Sequence, residues 1–417
     1  MGRGREKKGM LEGFRVLTLT YRVEDLPPEQ RERLVELFKR YRAIASLYFW
    51  AKRLGLREGV EQALERAKEE LPSYWRKALD DESPLYLFSE VEEMARPRKH
   101  VLKLPLTEAL QVKQRDEKCT TGAYIDRKES KLVVRLGDGE RIELPIPRRA
   151  LRWLRDKERE VAPLKVSKTV RIQWRPERAQ ALKVQIILRV QRPRPAQPDP
   201  RSSLLVYVDV NSSYGIAAIF ASYEEGYAKI HETLKLRPPN QTRRLREAAK
   251  RLRAAAYGSE PNVNYALARL SKKFDASGWV KAAAARIFKR ALRRAKGRSV
   301  WMNFDAPDSE TVKGSRLQRT LLSIKRVAEN LANWYGVRAE FRCFPSRKCP
   351  LCGGRLKELR TKRARVMQCE CGFFEDRDYV PFYHWVKELG LPLPEWPIRA
   401  LKLPAEAEPN DPEARAG

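Results

Sequence analysis

Hydrophobic side chains near the start of the chain follow the two-residue period of a β-strand. Residues 14–23 place Leu17, Leu19, Tyr21 and Val23 on one face, with polar residues between them. We therefore predict that an extended strand opens the fold.

The period of the apolar positions then changes to that of a helix. Pro27 and Pro28 suit a first helical turn, where a missing backbone N–H has no cost. The apolar positions that follow recur at helical spacing: Leu34, Leu37, Phe38, Tyr41, Ile44, Ala45 and Tyr48. A highly charged helical pattern continues over residues 55–115. The sequence thus predicts a helical insertion over about residues 27–115.

Alternating apolar positions return between residues 131 and 190. The segments KLVVRL and ERIELPI flank a Gly-Asp-Gly turn at residues 137–139, a composition typical of a β-hairpin. Residues 169–174 and 182–190 indicate a second pair of strands. We predict that residues 1–192 form a β-barrel-like domain around the helical insertion.

A proline-rich segment at residues 193–202 is predicted to be a linker between two domains. After it, LLVYVDV at residues 204–210 is almost continuously apolar, as in strands covered on both faces. IAAIFASY is its predicted antiparallel partner, and VWMNFD at residues 300–305 indicates another buried strand before an amphipathic helix. The fold class predicted for the whole chain is therefore multidomain α+β.

Charge narrows the range of partners. The 417 residues include 86 Lys and Arg against 54 Asp and Glu, a formal net charge of +32. A polyanion is the natural counterpart of such an excess, because neutralised phosphates release condensed counterions. A thermophile's charged surface is the alternative, but it would carry balanced signs.

No membrane partner is expected. No stretch approaches the roughly 18 to 20 apolar residues of a spanning helix, and the start MGRGREKKGM lacks the apolar core of a signal peptide. We expect an intracellular protein. Whether it is a monomer or a dimer stays open.

Basic residues concentrate in two helical stretches near residues 240–256 and 263–297 and in the helix after residue 305. Most charge runs are solvated helix faces, but leucines and an isoleucine supply an opposite apolar face here, which favours a nucleic-acid-facing surface. The candidates are Arg243, Arg244, Lys250, Arg251, Lys272, Lys273, Arg286, Arg290, Arg316 and Arg319.

Four of the six cysteines lie in one short segment as Cys-x-x-Cys and Cys-x-Cys, at Cys349, Cys352, Cys369 and Cys371. Two turns that each carry two thiolates can complete a tetrahedron around one Zn²⁺. Since four protein ligands leave no open position, the predicted zinc is structural.

Three histidines, His100, His231 and His384, are too few and too scattered for a His-based nuclease or transposase site. Carboxylates remain as ligands for a catalytic metal. Asp209 and Asp305 each end an apolar run, and a third acid follows the cysteines, where Asp376, Asp378 and nearby Glu375 are the alternatives. Carboxylates suit Mg²⁺ or Mn²⁺, and paired ions can hydrolyse a phosphodiester.

These motifs, in the order VDVNSSYGIAAI, VWMNFDAPDSETVKGSRLQRTL, CPLCGG and CECGFFEDRDYV, resemble the split RuvC domain of the TnpB family. TnpB proteins are transposon-encoded RNA-guided nucleases related to compact CRISPR type V effectors. The resemblance covers roughly residues 203–386 and, more weakly, residues 14–54. By position, Asp209, Asp305 and Asp378 match the family's catalytic acids, and the cysteines match its zinc-binding insertion.

The resemblance also implies an architecture. A wedge-type β-barrel-like domain with a helical recognition insertion would precede an RNase H-like (RuvC) nuclease domain over residues 203–345 and 373–400. Residues 346–372 would form a zinc-ribbon insertion, and the acidic residues 401–417 are predicted to be a disordered tail.

The chain departs from the family pattern at two positions. The second acid is usually Glu, whereas Asp305 has a side chain one methylene shorter. An Asn usually stands two residues after the third acid, where this chain has Val380. Neither departure removes a carboxylate.

The function that the resemblance implies is cleavage of target DNA, directed by a guide RNA and dependent on Mg²⁺ or Mn²⁺. It also implies a prokaryotic cytoplasmic protein that associates with the nucleoid. Two alternatives stay open. One is an RNA-guided DNA-binding regulator that no longer cleaves, and the other is a small CRISPR type V effector.

Overall fold

The computed structural model describes residues 10–71, 100–108, 122–137, 140–174, 180–211, 215–237, 276–305, 316–360 and 365–398. It comprises two compact units, Met1–Arg192 and Pro193–Gly417. The predicted tail at residues 401–417 lies outside the described residues. No helix in the described ranges is long and apolar enough to cross a lipid bilayer.

The first unit is built on one mixed sheet with helices packed beside it. Its helices are α1 (Pro28–Leu54), α2 (Arg57–Glu70) and α3 (Arg148–Arg159), with a 3₁₀ turn at Val23–Asp25. Its strands are β1 (Met10–Arg22), β2 (His100–Glu108), β3 (Ala123–Asp126), β4 (Lys131–Gly137), β5 (Glu140–Pro145), β6 (Val166–Trp174) and β7 (Ala181–Pro193). The strand order is β1-β7-β6-β2-β3-β4-β5.

The predicted barrel is corrected to an open sheet. Among the described strands, β1 and β5 stand at the two edges of the order, so no ladder of backbone hydrogen bonds closes the sheet. The edges are joined instead by a side chain, since the Tyr21 hydroxyl donates to the Pro145 carbonyl at 3.0 Å. The sheet therefore curls toward closure without becoming a barrel.

Local patterns predicted several strands and helices of this unit, but β3 and α3 were not predicted. The opening strand, helix α1 and both hairpins, β4–β5 and β6–β7, are confirmed. Of its predicted apolar face, helix α1 buries Leu34, Leu37, Phe38, Tyr41, Ile44 and Tyr48. The helix is followed by Gly55, whose left-handed φ of 71° suits glycine. The helical prediction over residues 27–115 is wrong at its end, because β2 is a strand paired with β3 and β6.

The second unit contains two sheets. Its larger sheet has β8 (Leu204–Asn211), β9 (Gly215–Glu224), β10 (Tyr227–Leu236), β11 (Val300–Asp305) and β12 (Arg338–Glu340), in the order β10-β9-β8-β11-β12. The smaller sheet has β13 (Lys357–Arg360), β14 (Arg365–Gln368) and β15 (Phe374–Asp376). The helices are α4 (Ala276–Ala295), α5 (Arg316–Tyr335) and α6 (Val380–Glu388).

The larger sheet is mixed, with antiparallel pairing on one side and parallel pairing on the other. Strands β8, β9 and β10 are antiparallel neighbours, whereas β11 runs parallel to both β8 and β12. A parallel connection needs a crossover, and the crossover between β11 and β12 includes α5. The predicted strands at residues 204–210 and 300–305 are thus confirmed, and the structure shows in addition that they are neighbours in one sheet.

Each face of the larger sheet is covered by different helices. On one face, Val206 and Val208 share a core with α4 and α5, where Phe288 stacks on Phe304 with ring centroids 6.0 Å apart. On the other face, Tyr207 packs in a core with α6. Because side chains alternate along a strand, Asp209 projects on the α6 face.

Replacement of Phe288 by Ala tests the first of these cores. Phe288 is fully buried, so the cavity should lower the free energy of unfolding of the second unit by about 3–5 kcal/mol. Chemical denaturation measures the change. Lys289→Ala, at the exposed neighbouring position of the same helix, is the control and should change stability by less than about 0.5 kcal/mol. Equal effects would contradict the packing described.

Candidate functional site

Two of the predicted acids meet at the carboxyl ends of adjacent parallel strands. Asp209 on β8 and Asp305 on β11 are direct Cα partners in the ladder. Residues in register on neighbouring strands point to the same face, and the carboxyl edge of parallel strands is where open sheets bind ligands. The ladder therefore places both carboxylates side by side on the α6 face.

Asp305 is held from the core side by two donors. The buried Tyr207 hydroxyl and the backbone N–H of Phe344 both donate to Asp305 Oδ2, the latter at 3.1 Å. Burial, followed by the charge of Asp305, raises the pKa of Tyr207, so this hydroxyl keeps its proton. Asn303 exchanges two hydrogen bonds with the backbone of Arg342, at 2.9 and 3.2 Å, which fastens this segment beside β11.

The acids after the cysteines lie in a network of cations. Asp376 and Asp378 are each less than a tenth exposed. Lys235 Nζ on β10 lies 2.5 Å from Asp376 Oδ2 and 3.2 Å from Asp378 Oδ2. Arg365 on β14 donates to Asp378 Oδ1 at 2.8 Å. The acids that the sequence left as alternatives therefore share one lysine.

Glu375 has a different environment. Its carboxylate accepts hydrogen bonds from the Tyr383 hydroxyl at 2.8 Å and from the backbone N–H groups of Ile398 and Asp376, both at 2.7 Å. The side chain is fully buried, and this burial raises its pKa. These contacts make Glu375 a structural carboxylate that joins β15 to α6 and to the segment after it.

The predicted acids share one electrostatic environment at Asp209. Burial raises the pKa of Asp209 well above its ordinary value, and the charges of Asp378 and Asp305 raise it further. Arg365 and Lys235 act in the opposite direction. Asp209 thus lies close enough to Asp378 and Asp305 for their charges to disfavour its own ionisation, which is a condition that a bound cation relieves.

The donor set at this place fits a hard divalent cation. Carboxylate oxygens are the ligands that Mg²⁺ and Mn²⁺ prefer, and Asp209, Asp305 and Asp378 supply them. Their oxygens are not gathered as tightly as the cysteine sulfurs. The sulfur atoms of the four cysteines all lie within 4.8 Å of one another. In the described ranges, no other group of three or more His, Cys, Asp or Glu side chains is gathered as closely.

The four cysteines form a compact centre beside the smaller sheet. Cys349 Sγ lies 3.5 Å from Cys371 Sγ, and Cys352 Sγ lies 3.4 Å from Cys369 Sγ. The turns after each pair use Gly353 and Gly372 at φ of 77° and 91°, which favours glycine. The backbone N–H of Gly354 donates to Cys352 and lowers the pKa of that thiol to about 7. This arrangement of sulfur donors suits Zn²⁺.

The basic candidates are distributed unevenly in the structure. Arg286 is exposed on α4, whereas Arg290 forms an ion pair with Glu232, which Arg294 also contacts at 2.6 Å. Arg316 and Arg319 lie in the first turn of α5, and their side chains are outside the described part. Also outside it are Arg243, Arg244, Lys250, Arg251, Lys272 and Lys273.

Sequence reasoning missed Tyr207, Lys235 and Arg365. Tyr207 carried a usable signal, because it stands two residues before Asp209 on a strand and so shares its face. Lys235 and Arg365 carried none, since both reach the acids only through the pairing of β10 and β14 with their neighbours.

Comparisons with known proteins place the chain near no curated relative. No protein-family model and no curated protein matches it. Among solved structures it is similar to the Cas12f1–sgRNA–target DNA complex, with 10% identity, 79% of this chain and 76% of that chain covered, and a TM-score of 0.42. The mini-RNA-guided endonuclease CRISPR-Cas phi3 is similar at 10% identity, with 63% and 58% covered and a TM-score of 0.36. CasPhi-2 (Cas12j) bound to crRNA and phosphorothioate-DNA is similar at 11% identity, with 65% of each chain covered and a TM-score of 0.29.

The cysteine centre can be tested by metal analysis. Cys369→Ser should reduce bound zinc from about one ion per chain to none, because one of four thiolates is lost. It should also lower the melting temperature by at least about 5 °C, since metal binding stabilises the sheet that carries it. Elemental analysis and thermal unfolding measure both effects. Cys343→Ser, an exposed thiol outside the centre, is the control, and zinc retained by Cys369→Ser would refute the assignment.

Proposed function

We propose that the chain is an RNA-guided DNA endonuclease that cleaves target DNA with Asp209, Asp305 and Asp378 at a pair of divalent ions. The observation that carries the proposal is the in-register pairing of Asp209 with Asp305, with Asp378 close enough to raise the pKa of Asp209. Acids from two strand ends and a later loop, gathered on one face, are what a metal-dependent nuclease needs.

The topology of the larger sheet supports the interpretation of this unit as a RuvC-like domain. Three antiparallel strands are followed by two parallel ones, and the first acid lies on the first strand of the sheet in chain order. This is the strand-turn-strand opening expected for an RNase H-like domain. The small sheet with its cysteines interrupts the unit between β12 and α6, where the zinc-ribbon insertion is expected.

The three acids would together hold the metal in this mechanism. Asp209, Asp305 and Asp378 would supply the carboxylate oxygens, and the chemistry supplied by a bound divalent ion would be activation of a water and neutralisation of the leaving oxygen of the phosphodiester. Arg365 and Lys235 would keep Asp378 in place.

Charge and sequence support the proposed partners. The excess of 32 positive charges favours a polyanionic partner, and guide and target strands together would be one. Pairing between the strands would provide sequence specificity, whereas the protein would contact the backbone. The resemblance of the ordered motifs to TnpB proteins adds the guide RNA to this proposal.

The direct test uses protein purified from its host with its co-purified RNA, which is sequenced to design a matched plasmid. With Mg²⁺ and a randomised motif beside the target, the plasmid should be cut. Asp209→Ala should reduce the rate at least about a hundredfold, the upper end of what outer-sphere partners of a metal cost, and should leave RNA and DNA binding intact. Asp199→Ala, an exposed carboxylate of the same unit, is the control.

Two results would count against the endonuclease. Plasmid that stays intact across the whole motif library would remove the proposed activity. Cleavage at an unchanged rate by Asp209→Ala would remove the assignment of the acids.

A second candidate function is guided DNA binding without cleavage, and one observation favours it. Lys235 and Arg365 already neutralise Asp376 and Asp378, so these acids are satisfied without a metal. In this case the wild-type chain would bind its matched DNA and leave it uncut at all Mg²⁺ concentrations.

Lys235 gives a quantitative prediction for the choice between these functions. If the acids bind a divalent ion, Lys235→Met should tighten Mn²⁺ binding several-fold, because a competing cation is removed from two buried carboxylates. Isothermal titration calorimetry of the zinc-loaded protein measures this. Lys229→Met is the control: this half-buried lysine on the same strand pairs with Glu225 at 2.8 Å, and its loss should leave Mn²⁺ binding unchanged. No Mn²⁺ binding by either variant would favour the non-cleaving regulator.

A further inference from the structure

Asp305 is fixed through one of its two oxygens. The Tyr207 hydroxyl and the Phe344 N–H both donate to Oδ2. A carboxylate oxygen that accepts two hydrogen bonds from rigid groups cannot rotate freely. Oδ1 is then the oxygen that Asp305 presents away from these donors.

Tyr207 is itself immobilised by packing. Its side chain is 1% exposed, and its ring centroid lies 6.2 Å from that of Phe344, 6.1 Å from Phe382 and 5.7 Å from Trp385. Phe382 and Trp385 belong to α6, the helix that begins two residues after Asp378. One buried side chain therefore contacts Asp305 and the helix that follows Asp378, and it stands on β8 with Asp209.

We propose that Tyr207 is a positioning residue that orients Asp305 for divalent metal binding, an inference that rests on the proposed function. Asp305 is one methylene shorter than the Glu usual at this position in the family that the sequence resembles. A carboxylate whose direction is already fixed loses less conformational entropy when it binds an ion. The tyrosine hydroxyl supplies that constraint from the core side, and β8 delivers it next to Asp209.

The test measures Mn²⁺ binding by isothermal titration calorimetry on zinc-loaded protein without nucleic acid. Tyr207→Phe removes the hydroxyl and keeps the ring, so it should weaken Mn²⁺ binding about tenfold, the lower end for loss of a partner that orients a metal ligand. Tyr383→Phe is the matched control. It also removes a buried hydroxyl that donates to a carboxylate, that of Glu375, at 2.8 Å. Because Glu375 is not a ligand of the proposed ion, the Tyr383→Phe variant should bind Mn²⁺ with wild-type affinity.

A double-mutant cycle separates orientation of Asp305 from a general loss of packing. In the Asp305→Asn background, Tyr207→Phe should have no further effect on Mn²⁺ affinity, because the ligand it orients is already altered. A further loss as large as in the wild-type background would overturn the proposal. So would equal Mn²⁺ affinities for Tyr207→Phe, Tyr383→Phe and wild type.

The outcomes also separate this inference from the proposed function. If wild type and Asp209→Ala bind Mn²⁺ alike, the acids are not a metal site, and both proposals fall. If Asp209→Ala abolishes binding and Tyr207→Phe leaves it unchanged, the metal site stands and the role of Tyr207 is refuted. If Tyr207→Phe is too unstable to titrate, Tyr207→Met supplies the second variant, because a smaller and flexible apolar side chain fits the buried site without overpacking. It also lacks the hydroxyl and should show the same tenfold loss, whereas wild-type affinity would overturn the proposal.

Discussion

Parallel pairing between β8 and β11 is the interaction on which the proposed site depends. The ladder aligns six residue pairs, from Val300 with Leu204 to Asp305 with Asp209. A slip of one residue would turn one acid to the opposite face, because side chains alternate along each strand. The register is protected by apolar side chains on both faces of β8, which are buried by α4 and α5 on one side and by α6 on the other.

Burial of the acids is the second constraint. A carboxylate removed from water is costly unless a cation or several donors compensate it. The structure offers a different solution at each position: a tyrosine and a backbone N–H for Asp305, a lysine and an arginine for Asp378, and three donors for Glu375. Burial raises the pKa of both Asp209 and Glu375, but the three donors to Glu375 lower its pKa, whereas the charges of Asp378 and Asp305 raise that of Asp209 further. This difference distinguishes a carboxylate that supports the fold from one suited to bind an ion.

Local pattern was sufficient for elements whose burial follows a period, such as α1, β8 and β11. It failed for β10, which lies at a sheet edge and buries little besides Ala228, so its hydrophobic signal is weak. It failed again at β2, where charged neighbours extend the helical pattern and pairing with β6 decides the outcome. Barrel closure was also beyond local pattern, because it depends on whether β1 and β5 meet.

The candidate site likewise contains residues that local pattern identified and residues that only tertiary pairing reveals. Strand ends and cysteine spacing identified Asp209, Asp305 and the sulfur centre as residues to examine, and the structure brings the members of each group together. Their catalytic role stays a prediction. Lys235 and Arg365 are separated from Asp378 along the chain, so only tertiary pairing could identify them as its partners.

Strand β15 connects the small sheet beside the cysteines to the acids at residues 376 and 378. It pairs with β14 in the sheet beside the cysteines, and it ends at Asp376, immediately before Arg377 and Asp378. Because β15 follows β8 and β11 along the chain, a ribosome completes those two strands before it adds Asp378. The growing chain would thus hold an incomplete set of acids until the cysteine segment has emerged and folded.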